Sequence, residues 1–559
     1  MVQVEIEAPT RVRALQNPVS IRDQVFALYK WLRVHVSDTW WVGIIAASVS
    51  LAVYAWYESR GMTTLFNDAR VRELIARRVI SSRTPGLAQL GATWLPLPGI
   101  LMMPFIWSDA LFRDGLAGAI PSMLAYVLAA TYVYRFARLA TSSRAAGWLA
   151  AGILMANPSL LYMQSTAMSE TVSLCAFVAG LFYAFRLTKT HHSSDIVKCA
   201  SAVAAGSLVR YDDWLIAFAL VPVLAWIAWK HGGYLLAEAW VILYSLLAFA
   251  GCVAWVIYNA VIFHDPLLSF FYGQSSHKYY PNTPGRLLPA RGHPIVALKM
   301  YGFSVAGTVG WPLIALALAG LLVAMWRLRV RADSLPVFMS LLPFVFYSLV
   351  FYLGVNTANV PQLSFGGYYN VRFALAMVPA VALFAAFFAS MGESRTRRWV
   401  AGSLLLPVAV WGFWGSTHQK PFVVREAVYG NANLRVPGHT EANWMAANYH
   451  GGNILLTYLD NSAMAFYLMT DYRVPDRAFL TDANGVQFAA ALAHPQDSVT
   501  WIILSLNLQD GGNRIRTALL GDPAWRSYFA LRATLGTTQI YEKLQNVSSG
   551  GEATYALGP

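Results

Sequence analysis

The chain has 559 residues, 57% of them hydrophobic and only 12% charged, with a mean hydropathy of +0.45. A water-soluble domain carries roughly twice that charged fraction, so an ordinary soluble globular protein is excluded. The formal net charge of +13 does not point to nucleic acid. The Arg and Lys residues are not gathered in one patch with interleaved aromatics; they fall mostly in short segments between long apolar runs.

A basic tail over residues 1–37, with Arg11, Arg13, Arg22, Lys30 and Arg33, comes first and is expected to be cytoplasmic. The first apolar run, Thr39 to Tyr57, starts too far into the chain for a secretory signal and lacks a small-residue cleavage site. Runs of about 17–25 apolar residues mark membrane-spanning helices. Placing the basic loops on one side, as the positive-inside rule requires, gives about eleven spans. These are 38–57, 116–137, 146–163, 170–187, 198–211, 213–229, 238–262, 303–326, 335–353, 372–390 and 399–416. The predicted fold class is thus an α-helical polytopic membrane protein over 38–416, followed by a soluble α/β domain over 417–559.

Between the first two spans lies a long outer loop, 58–114. Its stretch Thr64 to Val79, "TLFNDARVRELIARRV", sets Leu65, Val71, Leu74, Ile75 and Val79 near helical spacing with arginines between them. That pattern predicts an amphipathic helix lying on the outer membrane face, its arginines toward head groups. The apolar segment Trp94 to Trp107 contains three prolines and is short, which suits a re-entrant or interfacial piece. From Thr417 the composition changes to strand-like runs such as "NILLTY" and "WIILSL", alternating with helix-like segments and turns. By parity this domain is extracytoplasmic, and it shows no convergent acid–arginine set of its own.

Ionisable residues at span ends are expensive and usually have a task. Four places converge on the outer face: Asp68 after the first span, Glu170 in "QSTAMSETVSL", Arg210 in "GSLVRYDDWL", and Arg372 in "GGYYNVRFAL". Taken singly, each has a structural explanation. An acid caps a helix N-terminus, Arg210 pairs with Asp212 or Asp213, and Arg372 snorkels to head groups. Together they match a chemical need. Transfer of a sugar from a lipid phosphate requires a carboxylate to take the acceptor's proton and fixed positive charge for the leaving phosphate, a role that suits the planar fork of Arg.

The order of elements resembles the GT-C superfamily of polyprenyl-phosphate-sugar glycosyltransferases, of the protein mannosyltransferase and lipid A aminoarabinose transferase type. The likeness rests on an Asp in a long first outer loop, a Pro-rich apolar segment, an acid in the second outer loop and a late Asn-x-Arg-aromatic start to a span. It implies an inverting transfer at the outer membrane face, with Asp68 as general base and Glu170 as the second-loop acid. Arg372 and Arg210 are then expected at the donor phosphate, and Tyr211, Asp212, Asp213, Tyr369 and Asn370 around the substrates. The implied partners are a polyprenyl-phosphate-sugar lipid, membrane lipids and an acceptor that is a protein, a glycolipid or a cell-wall glycan. The implied location is a bacterial inner or plasma membrane. No resident cofactor is implied. A divalent metal is left open, although His191–His192 and His264–Asp265 are only fragments of a ligand set. Two features depart from the family pattern: Asp68 is followed by Ala69 where an Asp-Glu pair is common, and Gly99 stands where a polar ring is frequent. A polytopic lipid or glycan transporter is the rival class. It favours acids near mid-membrane in matching halves, and no such halves are visible.

Overall fold

The computed structural model describes residues 37–268, 288–329, 331–364, 367–418, 420–430, 436–506 and 514–544. The basic tail up to residue 36 and a glycosylation-like triplet at Asn546 lie outside them. The principal helices of the first part are α1 (Asp38–Glu58), α2 (Asn67–Ser81), α3 (Leu97–Ile106), α4 (Leu116–Thr141), α5 (Arg144–Met155), α6 (Pro158–Met163) and α7 (Glu170–Thr190). They continue as α8 (Ser193–Ser207), α9 (Asp212–Ala248), α10 (Ala250–Phe263), α11 (Pro294–Val309), α12 (Trp311–Leu328), α13 (Leu342–Leu353), α14 (Val378–Ala389) and α15 (Ser394–Thr417). Among the described residues, seven helical segments are long and apolar enough to cross a membrane. The protein is an integral membrane protein, mostly helical.

Several breaks differ from the expected spans, and each has a local cause. The expected span 146–163 is divided between α5 and α6, where Asn157 caps α6 through its Oδ1 (2.9 Å from Leu160 N) and Pro158 opens the new helix. The expected span 303–326 is divided at Gly310, whose φ of 85° ends α11 and starts α12. Within α9 the backbone leaves helical geometry at Gly232 and Gly233, so residues 212–231 and 234–248 form two arms. That turn matches the expected gap between 213–229 and 238–262.

The core of the bundle is α4, which packs against α1, α5 and α7. Nearby, α12 crosses α14 so closely that a Cβ on Gly320 would stand 1.7 Å from the carbonyl oxygen of Phe384. Lipid offers no hydrophobic drive between helices, so small residues at such crossings allow the backbone contact that holds them together.

Beyond α15 come α16 (Phe422–Gly430), α17 (Val436–Asn448) and α18 (Tyr458–Thr470), with a five-stranded sheet. The strands are β1 (Ile454–Leu455), β2 (Phe479–Leu480), β3 (Trp501–Ser505), β4 (Phe529–Leu535) and β5 (Thr538–Lys543), in spatial order β2-β1-β3-β5-β4. The first three are parallel, and β5 and β4 add antiparallel partners. All of β3 is buried, as its unbroken apolar run requires at the centre of a sheet covered on both faces.

The expectation for α2 needs correction. The helix forms over Asn67–Ser81, but it does not lie on the membrane with arginines toward head groups. Arg70, Arg72, Glu73 and Arg78 are buried: Arg70 donates to Thr64 O, Arg72 lies over Trp94, Glu73 accepts from Gly118 N and Arg78 donates to Gln89 O, while the C-terminal part covers the helix and its loop from outside. Ser462 Oγ donates to Asn67 Oδ1 at 3.1 Å, Arg77 Nε to Asp476 Oδ2 at 3.2 Å, and Gln89 Nε2 to Ala483 O at 3.0 Å. Ser81 also bonds Asp476, Arg83 bonds Asn453, and Phe112 meets Phe466 edge-on. Protein polar groups have taken the place that lipid phosphates were expected to fill.

The α12–α14 crossing gives a test of the bundle. Gly320→Val forces the two backbones apart, and overpacking of this kind costs about 1–3 kcal/mol. Thermal unfolding of the detergent-solubilised protein should show a lowered Tm, whereas Gly302→Ala, where a Cβ meets nothing within 4 Å, should not.

Candidate active site

The site is built at one end of the bundle, where α1 ends and α7, α9 and the turn before α14 begin. Glu170 is the first residue of α7, a position where the helix dipole favours a carboxylate. Arg210 sits in the short turn from α8 to α9, and Asp212 and Asp213 open α9. Arg372 lies in a 3-10 turn, Val371–Met377, which leads into α14.

That turn is set by Asn370, a non-glycine residue in the left-handed region (φ 53°). Asn tolerates this conformation better than most side chains. Its buried Nδ2 donates to Asn356 Oδ1 at 3.0 Å and to Thr357 O at 2.9 Å, while Asn359 and Tyr369 form a short backbone bridge. Asn370 and Tyr369 therefore hold the loop that presents Arg372.

Arg372 gathers three carboxylates. Nη2 donates to Asp68 Oδ2 at 2.8 Å, Nε to Glu170 Oε1 at 3.0 Å, and Nη1 to Glu426 Oε1. Its backbone N–H also donates to Glu426 Oε2 at 3.1 Å. Phe66 and Phe373 flank the guanidinium at 5.3 and 5.6 Å, in cation–π range. Arg210 extends the network: Nη1 donates to the same Glu170 oxygen at 3.0 Å, and Nε to both Asp212 oxygens at 3.0 Å. Tyr347 completes it with a hydrogen bond to Asp212, and its ring stacks between those of Tyr301 and Phe373.

A cleft opens beside this network, with about 520 Å³ of empty space that includes its open mouth. Its lining includes the polar residues Glu170, Arg210, Asp212, Asp213 and Arg372 and the apolar residues Phe177, Leu215, Ile216, Leu342 and Phe346. Of the residues expected from sequence, Glu170, Arg210, Asp212, Asp213 and Arg372 border the cleft. Asp68 adjoins it through Arg372. Tyr211 instead accepts from Trp255 Nε1 at 3.0 Å, outside the lining.

Glu426 was not foreseen. It belongs to α16, beyond the last apolar helix, so a part expected to have no convergent acid–arginine set of its own supplies one acid to this network. Burial raises the Glu426 carboxyl above its ordinary value, and the charge of Arg372 opposes the rise. The only sequence signal was an acid in the apolar context "FVVREAV".

A family model described as dolichyl-phosphate-mannose-protein mannosyltransferase matches residues 108–258, the stretch that carries Glu170, Arg210, Asp212 and Asp213. No curated protein matches the sequence. Among solved structures, ArnT from Cupriavidus metallidurans bound to undecaprenyl phosphate aligns with a TM-score of 0.52 at 14% identity, over 92% of this chain and all of that one. Its apo form aligns with a TM-score of 0.50 at the same identity. The archaeal oligosaccharyltransferase AglB from Archaeoglobus fulgidus, in complex with an inhibitory peptide and a dolichol-phosphate, gives 0.47 at 12% identity, over 93% of this chain and 75% of that one. The chain therefore shares its fold with ArnT, and its residues 108–258 match a protein mannosyltransferase family model.

The helix that carries Asp68 is anchored by a second acid. Glu73 is fully buried, and its Oε1 accepts from Gly118 N at 3.2 Å at the start of α4. The contact requires glycine, since a Cβ at position 118 would lie 2.2 Å from that of Ala167. Burial pushes the Glu73 carboxyl up to about 8, against the opposing pull of the Gly118 N–H and of Arg70. A carboxyl whose folded value is raised stabilises the fold fully below its ordinary value of 4.5 and loses that contribution as pH climbs through about 8. Glu73→Gln cannot ionise. Its Tm relative to wild type should therefore rise as pH goes from about 5 to 9, a trend that thermal unfolding across the series would show.

Proposed function

We propose that this protein is a GT-C glycosyltransferase that moves a sugar from a polyprenyl-phosphate donor to an acceptor hydroxyl at the outer membrane face, with inversion at the anomeric carbon. The acceptor oxygen attacks that carbon as the bond to the phosphate oxygen breaks. Asp68 takes the acceptor's proton, and the phosphate departs with the electron pair toward Arg372 and Arg210. Glu170 holds both arginines in place. Asp212, Asp213, Tyr211, Tyr369 and Asn370 complete the surroundings of the two substrates. The acceptor is a protein, a glycolipid or a cell-wall glycan, and the C-terminal part, residues 417–559, covers the site from the extracytoplasmic side. Residues 38–416 form the catalytic membrane domain.

One observation carries this reading: a single guanidinium joins Asp68 and Glu170 beside a cleft lined by both charged and apolar side chains. A lipid phosphate likewise combines a charged group with an apolar chain. The bound undecaprenyl phosphate of the ArnT structure, on the same fold, agrees with it.

Asp68→Asn keeps size and hydrogen bonding but removes basicity. Transfer from a radiolabelled lipid-linked sugar should fall by about 10²–10⁴-fold, the usual worth of a general base, while donor binding and Tm hold. The exposed Glu58 is the control, and near-normal turnover in Asp68→Asn, or an equal loss in Glu58→Gln, would remove Asp68 as base. Arg372→Lys keeps the charge and loses the fork. It should weaken donor affinity by roughly tenfold, the worth of one charge-assisted hydrogen bond, and calorimetric titration with undecaprenyl phosphate would measure it.

A further inference from the structure

The arginines of the network are not in equal condition. Arg372 has its Nε, Nη1 and Nη2 on carboxylates, and Arg210 has Nε and Nη1 on carboxylates and Nη2 3.4 Å from Tyr347 Oη. Arg72 is different. Its side chain is more than nine-tenths buried, yet it donates no hydrogen bond to any described residue, and its Nε is among the buried atoms without a partner. A buried polar group with no partner costs stability, and a charged one costs more. A retained cation of this kind calls for an explanation.

Its place gives one. Arg72 is four residues after Asp68 in α2, so the two side chains leave the same face of the helix. The charges of Glu170, Asp68, Arg210 and Arg372 all act on it. Its guanidinium lies over the ring of Trp94 at 4.5 Å, which fixes the plane of the fork while leaving its N–H edges free. Trp94 itself is held near the α8–α9 turn, because Leu97 N donates to Leu208 O at 3.0 Å. Burial lowers the Arg72 guanidinium to about 10, with Glu170 and Asp68 opposing the fall, so the group stays cationic at neutral pH.

We infer that Arg72, backed by Trp94, is an anion subsite of this enzyme that takes phosphoryl oxygens of the lipid-linked donor. The inference rests on the donor reading given above and adds to it. Arg372 and Arg210 are already committed to carboxylates, whereas Arg72 offers an open fork to a phosphate beside the general base. A planar guanidinium pinned on an indole ring is pre-organised for two oxygens of one phosphate.

The test uses the full-length protein in detergent and two probes, undecaprenyl phosphate and undecaprenol, which differ only in the phosphate. Wild type should prefer the phosphate lipid. Arg72→Gln should lose roughly ten- to a hundredfold in affinity for undecaprenyl phosphate, the range of a charge-assisted contact, and nothing for undecaprenol. Arg72→Lys should recover part of the loss, and Trp94→Leu should weaken the phosphate lipid alone. A purely structural arginine would shift both lipids alike, or neither, with a fall in Tm. If wild type discriminates but Arg72→Gln and Arg72→Lys keep its preference, the subsite is overturned and the donor reading stands. If wild type does not discriminate, both fall. Should Arg72→Gln not fold, Arg72→Lys and Trp94→Leu decide on the same ratio of affinities, and an unchanged ratio in both overturns the subsite.

Discussion

The arrangement at the active end depends on one buried guanidinium. Arg372 binds acids from three separate places in the chain: Asp68 on α2, Glu170 on α7 and Glu426 on α16. Removing one member of a buried ion pair leaves an uncompensated charge and typically costs 3–5 kcal/mol. That cost applies to the buried Glu170 and Glu426, which tie α7 and α16 to the guanidinium, whereas the partly exposed Asp68 is held less tightly. Because Glu170 also pairs with Arg210, the α8–α9 turn is drawn into the same network. The cleft exists where these segments meet.

This dependence explains why α2 is placed as it is. Three of its charged residues are held on three sides: Glu73 Oε1 by the start of α4, Arg77 by Asp109 and Asp476, and Asp68 by Arg372. The C-terminal part is thus more than a cover. It supplies Asp476 and Ser462 to the outer side of α2 and Glu426 to the guanidinium. A helix that carries the proposed general base on such supports has little freedom to drift, and a displacement of about 1 Å is enough to cost a positioned base much of its effect.

Much of this was legible in the sequence, for physical reasons. Apolar run lengths set the spans, and the cost of charge near lipid picked out Glu170, Arg210 and Arg372. Asp68 followed from its place after the first span. What the sequence concealed is what covers each polar face. The alternation in "TLFNDARVRELIARRV" looks the same whether the arginines meet lipid phosphates, water or a folded domain, and only the tertiary structure shows that protein buries Arg70, Arg72 and Arg78. Glu426 was hidden for the same reason: an acid in a short amphipathic helix reads as a solvated face. The helix breaks at Gly310 and Asn157 were readable in principle, since a glycine and an Asn-Pro pair are ordinary helix boundaries. Uniform hydropathy outweighed them.

The network also constrains how the proposed donor would enter. A phosphate brought against Glu170 and Glu426 meets like charge. At about 4 Å and an effective dielectric of 20, one such pair costs about 4 kcal/mol, so Arg372 has to exchange a partner rather than add one. Its three carboxylates are unequal in this respect. The side chains of Glu170 and Glu426 are 6% and 4% exposed, and neither gains much water on leaving. Asp68 is 36% exposed and touches Arg372 through one oxygen. It is the partner that water can best compensate. On the proposed chemistry, the exchange that costs least therefore does two things together: it opens one arm of the Arg372 fork to the phosphate, and it frees the Asp68 carboxylate to accept a proton.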